Sequence, residues 1–162
     1  MSEVPSGLSM PNIERRPPRP PATLMITRQG ESGVEVLLGN RSESMPSFPG
    51  YWAFPGGGVS RVDTAASESL GISVQHCAIL REVVEELGLA PQDGRLVSVE
   101  DDFRGLVVDD KANWFPLALD GDIPCDTSGM RIISMRTTPP FGPVRFENTF
   151  LHIHADDHDD FS

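Results

Sequence analysis

Apolar and polar positions alternate in short runs at the start of the chain. Residues 22–28 (ATLMITR) read as a strand, residues 29–33 have hairpin-loop composition, and residues 34–38 read as the returning strand. Residues 40–50 are polar and rich in Ser, Pro and Gly, which predicts a surface loop. A brief strand at 51–54 runs straight into Pro55, Gly56, Gly57 and Gly58, and the small polar residues over 59–73 predict an irregular loop. From about residue 75 to 87, Ile79, Leu80, Val83, Val84 and Leu87 recur at three and four positions, an amphipathic helix that Gly88 would end. Further strands are expected at 96–99, 131–135 and 146–154, residues 109–129 are ambiguous, and the prolines of 138–143 impose an extended loop.

Strands on both sides of one strongly amphipathic helix predict an α+β domain, an α/β/α sandwich around a mixed sheet. It would occupy residues 22–155. The preceding 21 residues hold six of the 15 prolines and three arginines and read as an extended arm, while residues 156–162 form an acidic tail. The arm has no apolar core of a signal peptide and the chain no run long enough to span a bilayer, so the reading is a cytoplasmic protein without a membrane partner. Cys77 and Cys125 make no disulfide framework or zinc spacing, and Cys77 is expected in the core.

Twenty-four acids against 13 bases give a net charge of -11, which argues against a groove for a nucleic-acid duplex. A small phosphorylated ligand is compatible with that charge only if cations help to bring it in. The chemistry-bearing stretch is residues 81–88, REVVEELG. Glu82, Glu85 and Glu86 fall at i, i+3 and i+4, so a helix projects all three carboxylates from one face. Arg81 can balance one of them through an i+4 pair to Glu85, whereas a hard divalent cation could balance all three. The bland alternative is a solvated acidic face. His152, His154 and His158 beside the tail aspartates could hold a transition metal, with a solvated tail as the simpler account.

Phe54-Pro-Gly-Gly57, a carboxylate at Asp63, then the helix R-E-x-x-E-E-x-G with Val83 and Leu89 at its apolar positions, resembles the Nudix hydrolase signature. That pattern runs from a glycine through five residues to Glu, then seven residues to R-E-U-x-E-E-x-G-U, U being apolar. Two departures stand out. Asp63 replaces the first Glu, and 24 positions rather than 14 separate Gly57 from Arg81, which places ten extra residues within 64–75. Counted backwards from Arg81, the first Glu becomes Ser73. Residues 35–41, the aromatic pair Tyr51 and Trp52, the long insertion and the segment Thr138-Pro139…Arg145-Phe146-Glu147-Asn148-Thr149-Phe150 are similar to the coenzyme A diphosphatase-like branch of that family.

The resemblance implies metal-dependent hydrolysis of the diphosphate linkage in a nucleoside diphosphate joined to another moiety, of coenzyme A, ADP-ribose or dinucleotide type. It implies Glu82, Glu85 and Glu86 with Gly57 as ligands of Mg²⁺ or Mn²⁺, and Arg81 orienting Glu85. Substrate contacts would come from Arg41, Trp52, Phe54, Gly56, Gly57 and Gly58, with Arg28 a further phosphate contact. Asp63, Glu100 and Glu147 are accessory carboxylates, and the general base is one of these or a motif glutamate. Such domains usually continue past the strand ending near His154 with a further strand and a closing helix, so a shortened topology, a truncated gene product, or a partner such as a second copy supplying the closing layer is expected. The alternatives to an enzyme are a non-catalytic nucleotide-binding module of the same fold and an inactive relative.

Overall fold

The first alternating run is the strand on which the rest of the molecule is laid. A computed structural model describes residues 20–45, 48–139 and 145–155, so most of the expected arm and all of the acidic tail, His158 included, lie outside the described residues. Strand β1 (Pro21–Gly30) turns through Glu31 and Ser32 into β2 (Gly33–Val36), antiparallel, with Thr27 opposite Val36. Its first residues carry β5 (Gly56–Gly58) on the same edge, Ala22 lying opposite Gly57. Between these strands, β3 (Gly39–Asn40) and β4 (Trp52–Ala53) form a separate two-stranded ribbon.

The other edge of β1 takes β9 (Glu147–His154) in parallel, and β9 takes β8 (Arg131–Thr137) antiparallel with an irregularity between Ile132 and Ser134. The sheet order is therefore β2-β1-β9-β8, with β5 also on β1, a mixed sheet of the expected class. Period two then sorts the side chains. Ala22, Leu24 and Ile26 of β1 and Thr149, Leu151 and Ile153 of β9 are buried on one face. Thr23, Met25, Asn148, Phe150 and His152 alternate with them on the other and are half-buried.

The buried face is covered by helix. Residues 59–73, expected as an irregular loop, instead hold helix α1 (Arg61–Leu70). Its fully buried positions are Asp63 and Ala66, a stripe too narrow for hydrophobic periodicity to register. Local chemistry nonetheless specifies it. The Ser60 N–H donates to Asp63 Oδ2 at 2.7 Å across the first turn, and Gly71 ends the helix in the left-handed region at φ +68°. Helix α2 (Val74–Leu87) follows as expected and buries Cys77, Ala78, Ile79, Leu80, Arg81, Val83 and Val84.

The remaining elements were only partly foreseen. Strand β6 (Leu89–Gln92) pairs with β7 (Arg95–Ser98) through Asp93 and Gly94, both at positive φ. Helix α3 (Asp101–Asp109) buries Val107 alone among its residues, and carries Asp101 and Asp102 in its first turn, where acids suit the dipole. The ambiguous segment becomes a 3₁₀ turn (Lys111–Asn113) and α4 (Trp114–Asp120), whose Trp114 is the largest fully buried side chain. No helix among the described residues is long and apolar enough to cross a membrane.

On the face away from the helices, Thr27 Oγ1 lies 2.8 Å from His152 Nε2 and 3.3 Å from His154 Nδ1. Burial holds the His152 pKa below its ordinary 6.5, and the charges of His154 and Arg131 push the same way. An unfolded chain takes up that proton near pH 6.5 while the folded chain resists it, so this contribution is present above 6.5 and lost as pH falls. His152→Gln should flatten the decline in stability as the pH falls below 6.5. Urea titrations across that window check it, and an unchanged slope would place the proton uptake elsewhere.

Candidate active site

Helix α2 turns its apolar stripe to the sheet and leaves one carboxylate-bearing edge over the β5 glycines. Ser73, the backward-counted motif position, is its N-cap: Ser73 Oγ accepts from the His76 N–H at 3.2 Å. Gly88 closes it at φ +66°, and Arg104 Nη2 reaches across from α3 to the Glu85 and Glu86 carbonyls at 3.3 and 3.2 Å. Arg104 was not singled out from the sequence. A cation at a helix C-terminus is the signal that marks it in space, and nothing local in sequence does.

Arg81 is 2% exposed, and every one of its five N–H groups has an acceptor. Nε and Nη2 grip Asp63 Oδ1 and Oδ2 at 2.8 and 3.0 Å, Nη1 donates to Glu82 Oε1 at 2.9 Å and Glu85 Oε1 at 3.1 Å, and Nη2 also reaches the Gly58 carbonyl at 3.3 Å. Burial opposes the guanidinium charge, but the hydrogen bonds to Asp63 and the charges of Glu82 and Asp63 outweigh it and raise the Arg81 pKa. Asp63 itself is fully buried, both oxygens occupied by Arg81 and Ser60. Asp63 is the position reached by the forward count from Gly57.

The three motif glutamates share the neighbouring surface. Glu82 stands against Gly57 so closely that any Cβ there would overlap its carboxylate. Burial raises the Glu82 pKa, opposed by Arg81 and reinforced by Glu85 and Asp63. Glu86, exposed at the helix edge, accepts from the Gly56 N–H at 3.1 Å. Desolvation pushes it up to about 6, with the Gly56 N–H and Arg41 opposing and the charges of Glu82 and Glu85 adding to the rise. Gly56 has φ +147°, and a side chain there would run into the backbone of Ala22 and Thr23.

A recess of about 300 Å³ is lined by Arg41, Phe54 and Glu86 among others, which brings three of the expected positions together. Trp52, Glu100, Glu147 and Arg28 do not line it. Trp52 is 66% exposed on the β3–β4 ribbon. Glu100 is exposed at the head of α3, and Glu147 is exposed on β9 with its carboxylate 3.5 Å from Thr137 Oγ1. Arg28 pairs with Glu35 at 2.7 Å on the far end of β1.

A family model of the NUDIX domain matches residues 18–123. The chain belongs to the Nudix family. Among solved structures it is similar to a Nudix hydrolase from Alicyclobacillus acidocaldarius, 24% identical, TM-score 0.71, over 86% of this chain and 71% of that one. It is also similar to a MutT/Nudix family protein from Enterococcus faecalis, 17% identical, TM-score 0.51, over 91% of this chain and 39% of that one. At these identities the likeness is one of fold. No curated protein matches it in sequence.

The Nudix helix thus carries its full R-E-x-x-E-E set, and α1 occupies part of the 64–75 stretch expected to hold the ten extra residues. Among the described residues, no three His, Cys, Asp or Glu side chains are already gathered as a metal site. The donor chemistry fits one: three crowded carboxylates, two with raised pKa values, beside the glycine edge of β5. Asp63→Ala leaves part of a buried guanidinium without its acceptor and should cost about 3–5 kcal/mol. Arg61→Ala, exposed on the same helix, should stay within about 0.5 kcal/mol. Urea midpoints of both variants test this; equal effects would remove Asp63 from its anchoring role.

Proposed function

We propose that this chain is a metal-dependent diphosphatase that hydrolyses the diphosphate linkage of a nucleoside diphosphate derivative. The observation that carries the reading is the single network in which buried Arg81, fixed by Asp63, holds Glu82 and Glu85 while Glu86 rests on the Gly56 N–H. A solvated acidic face has no need of a buried guanidinium to set its carboxylates in register.

In this reading Glu82, Glu85 and Glu86, with the Gly57 carbonyl, hold Mg²⁺ or Mn²⁺. The bound cation supplies charge neutralisation at the phosphates and acidifies a water. The rest belongs to the chain. Arg81 keeps Glu82 and Glu85 pointed along one edge, so positioning costs little when substrate arrives. Gly56 and Gly57 lack side chains, which lets phosphate approach the backbone of β5. Arg41, close enough to Glu86 to lower its pKa, draws the anionic substrate to the recess. The attacking water gives its proton to a carboxylate, a motif glutamate or an accessory one such as Glu100 or Glu147.

The test is a panel of coenzyme A, ADP-ribose and dinucleotide substrates with Mg²⁺ or Mn²⁺, products identified by mass. Cleavage inside the diphosphate is expected for at least one class, and turnover of none would leave a nucleotide-binding module in its place. Glu86→Gln keeps the size of the side chain and its bond to Gly56 while removing the charge. It should lose about 10³-fold or more in kcat. Without metal its melting temperature should stay level or rise, because repulsion from Glu82 and Glu85 is relieved. Wild-type turnover in that variant would take the reaction off this helix face.

A further inference from the structure

Two of the histidines singled out from the sequence meet at one oxygen on the sheet face turned away from α2. His152 and His154 are two residues apart on β9, so the strand period sends both rings to the same side, about 6.5–7 Å apart at the backbone. Thr27 of β1 lies opposite His154 in the parallel pairing, and its hydroxyl answers both rings. Thr27 Oγ1 is 2.8 Å from His152 Nε2 and 3.3 Å from His154 Nδ1. A hydroxyl has a single proton, so at least one of the rings must donate to it. Thr27 is 9% exposed and His152 half-buried, while His154 is exposed, which gives the cluster a closed floor and an open mouth.

Satisfying one hydroxyl takes one imidazole, and here two converge on it. Neutral imidazoles suit borderline divalent cations such as Zn²⁺, Ni²⁺ and Cu²⁺, whereas Mg²⁺ and Mn²⁺ prefer carboxylate oxygens. The place differs from the carboxylate edge as well as the donors. The β5 glycines pair with Pro21, Ala22 and Thr23 at the start of β1. Thr27 is four residues beyond Thr23, about 13 Å further along the strand. Arg131 of β8 lies opposite His152, works against a cation and favours an anion, which gives the assignment a charge test.

We infer that His152 Nε2 and His154 Nδ1 chelate a borderline divalent transition metal beside the Thr27 hydroxyl, at a site separate from the carboxylate edge. Turning each ring slightly off that hydroxyl frees a lone pair for the metal, and water completes the coordination. The ring protons then sit on His152 Nδ1 and His154 Nε2. With Thr27 held against the pair, the ion fastens the end of β9 to β1 and favours the folded chain. The inference stands independently of the diphosphatase reading, since binding here needs neither substrate nor turnover.

The full chain, with millimolar Mg²⁺ present to occupy the carboxylate edge, is titrated calorimetrically with the chlorides of Zn²⁺, Ni²⁺ and Cu²⁺. All three should bind, Cu²⁺ most tightly. His152→Gln and His154→Gln should each weaken Zn²⁺ about tenfold or more, at least the cost of losing a group beside a ligand. Arg131→Gln should tighten Zn²⁺ a few-fold, because a like charge leaves the site. Zn²⁺ should also raise the melting temperature of the wild type, and raise it less in either histidine variant. If His152→Gln fails to fold, His154→Gln, at an exposed position, carries the comparison alone. Unchanged Zn²⁺ affinity in a folded histidine variant, or saturable binding of none of the three metals, overturns the site. Weaker Zn²⁺ binding in Arg131→Gln overturns it too. Inorganic phosphate that binds where Zn²⁺ does not, and is weakened by Arg131→Gln, replaces it with an anion pocket.

Discussion

A guanidinium buried to 2% exposure is the constraint around which the molecule is organised. Removing Arg81 from water is costly, and the cost is tolerable because each of its five N–H groups finds an oxygen. Those oxygens come from three separate elements. Asp63 belongs to α1, Glu82 and Glu85 to α2 itself, and the Gly58 carbonyl to β5. One side chain therefore ties the inserted helix to the motif helix and the motif helix to the sheet edge. A lysine could not do this, because a point charge with three donors has no fork to grip Asp63 while reaching the other two directions.

The same network explains how α2 tolerates its own sequence. Glutamates at i, i+3 and i+4 repel one another, and the pKa values of Glu82 and Glu86 are raised chiefly by desolvation, with that repulsion adding to the rise. Arg81 offsets the repulsion between Glu82 and Glu85 from below, and Gly56 offers Glu86 an N–H from the side. Arg104 caps the carbonyls at the helix end, where the dipole would otherwise add to the negative charge. What remains uncompensated is a concentrated negative edge facing a strip of glycine backbone, the condition a hard cation relieves.

Legibility in the sequence followed the range of the interactions involved. The α2 stripe and the E-x-x-E-E spacing are local patterns of strong period, and both were readable, as were β1, β2, β8 and β9. Helix α1 escaped because its buried stripe is Asp63 and Ala66 instead of large apolar residues, although Ser60 three residues before Asp63 and Gly71 after Leu70 were available as end signals. The β6–β7 hairpin turns on Asp93-Gly94, a pair whose turn preference is local, while the weak periodicity of residues 89–92 hides the first strand. Arg104 could not be read in this way. Its partners, the Glu85 and Glu86 carbonyls, lie on another helix, and no spacing along the chain encodes them.

That difference in range has a functional consequence. The carboxylate edge is written within one helix and the residues it touches at once, so its geometry survives changes elsewhere on the sheet. The pairing of β8 with β9 depends on register, with Arg136 set opposite Asn148 past the irregularity at Ile132 and Ser134. A slip of one residue there would move Arg136 to the opposite face of the sheet and set an uncharged neighbour in its place. The fold thus keeps its carboxylates on one helix, anchored through Arg81, and leaves β8 on a pairing that small changes in strand or loop can re-aim.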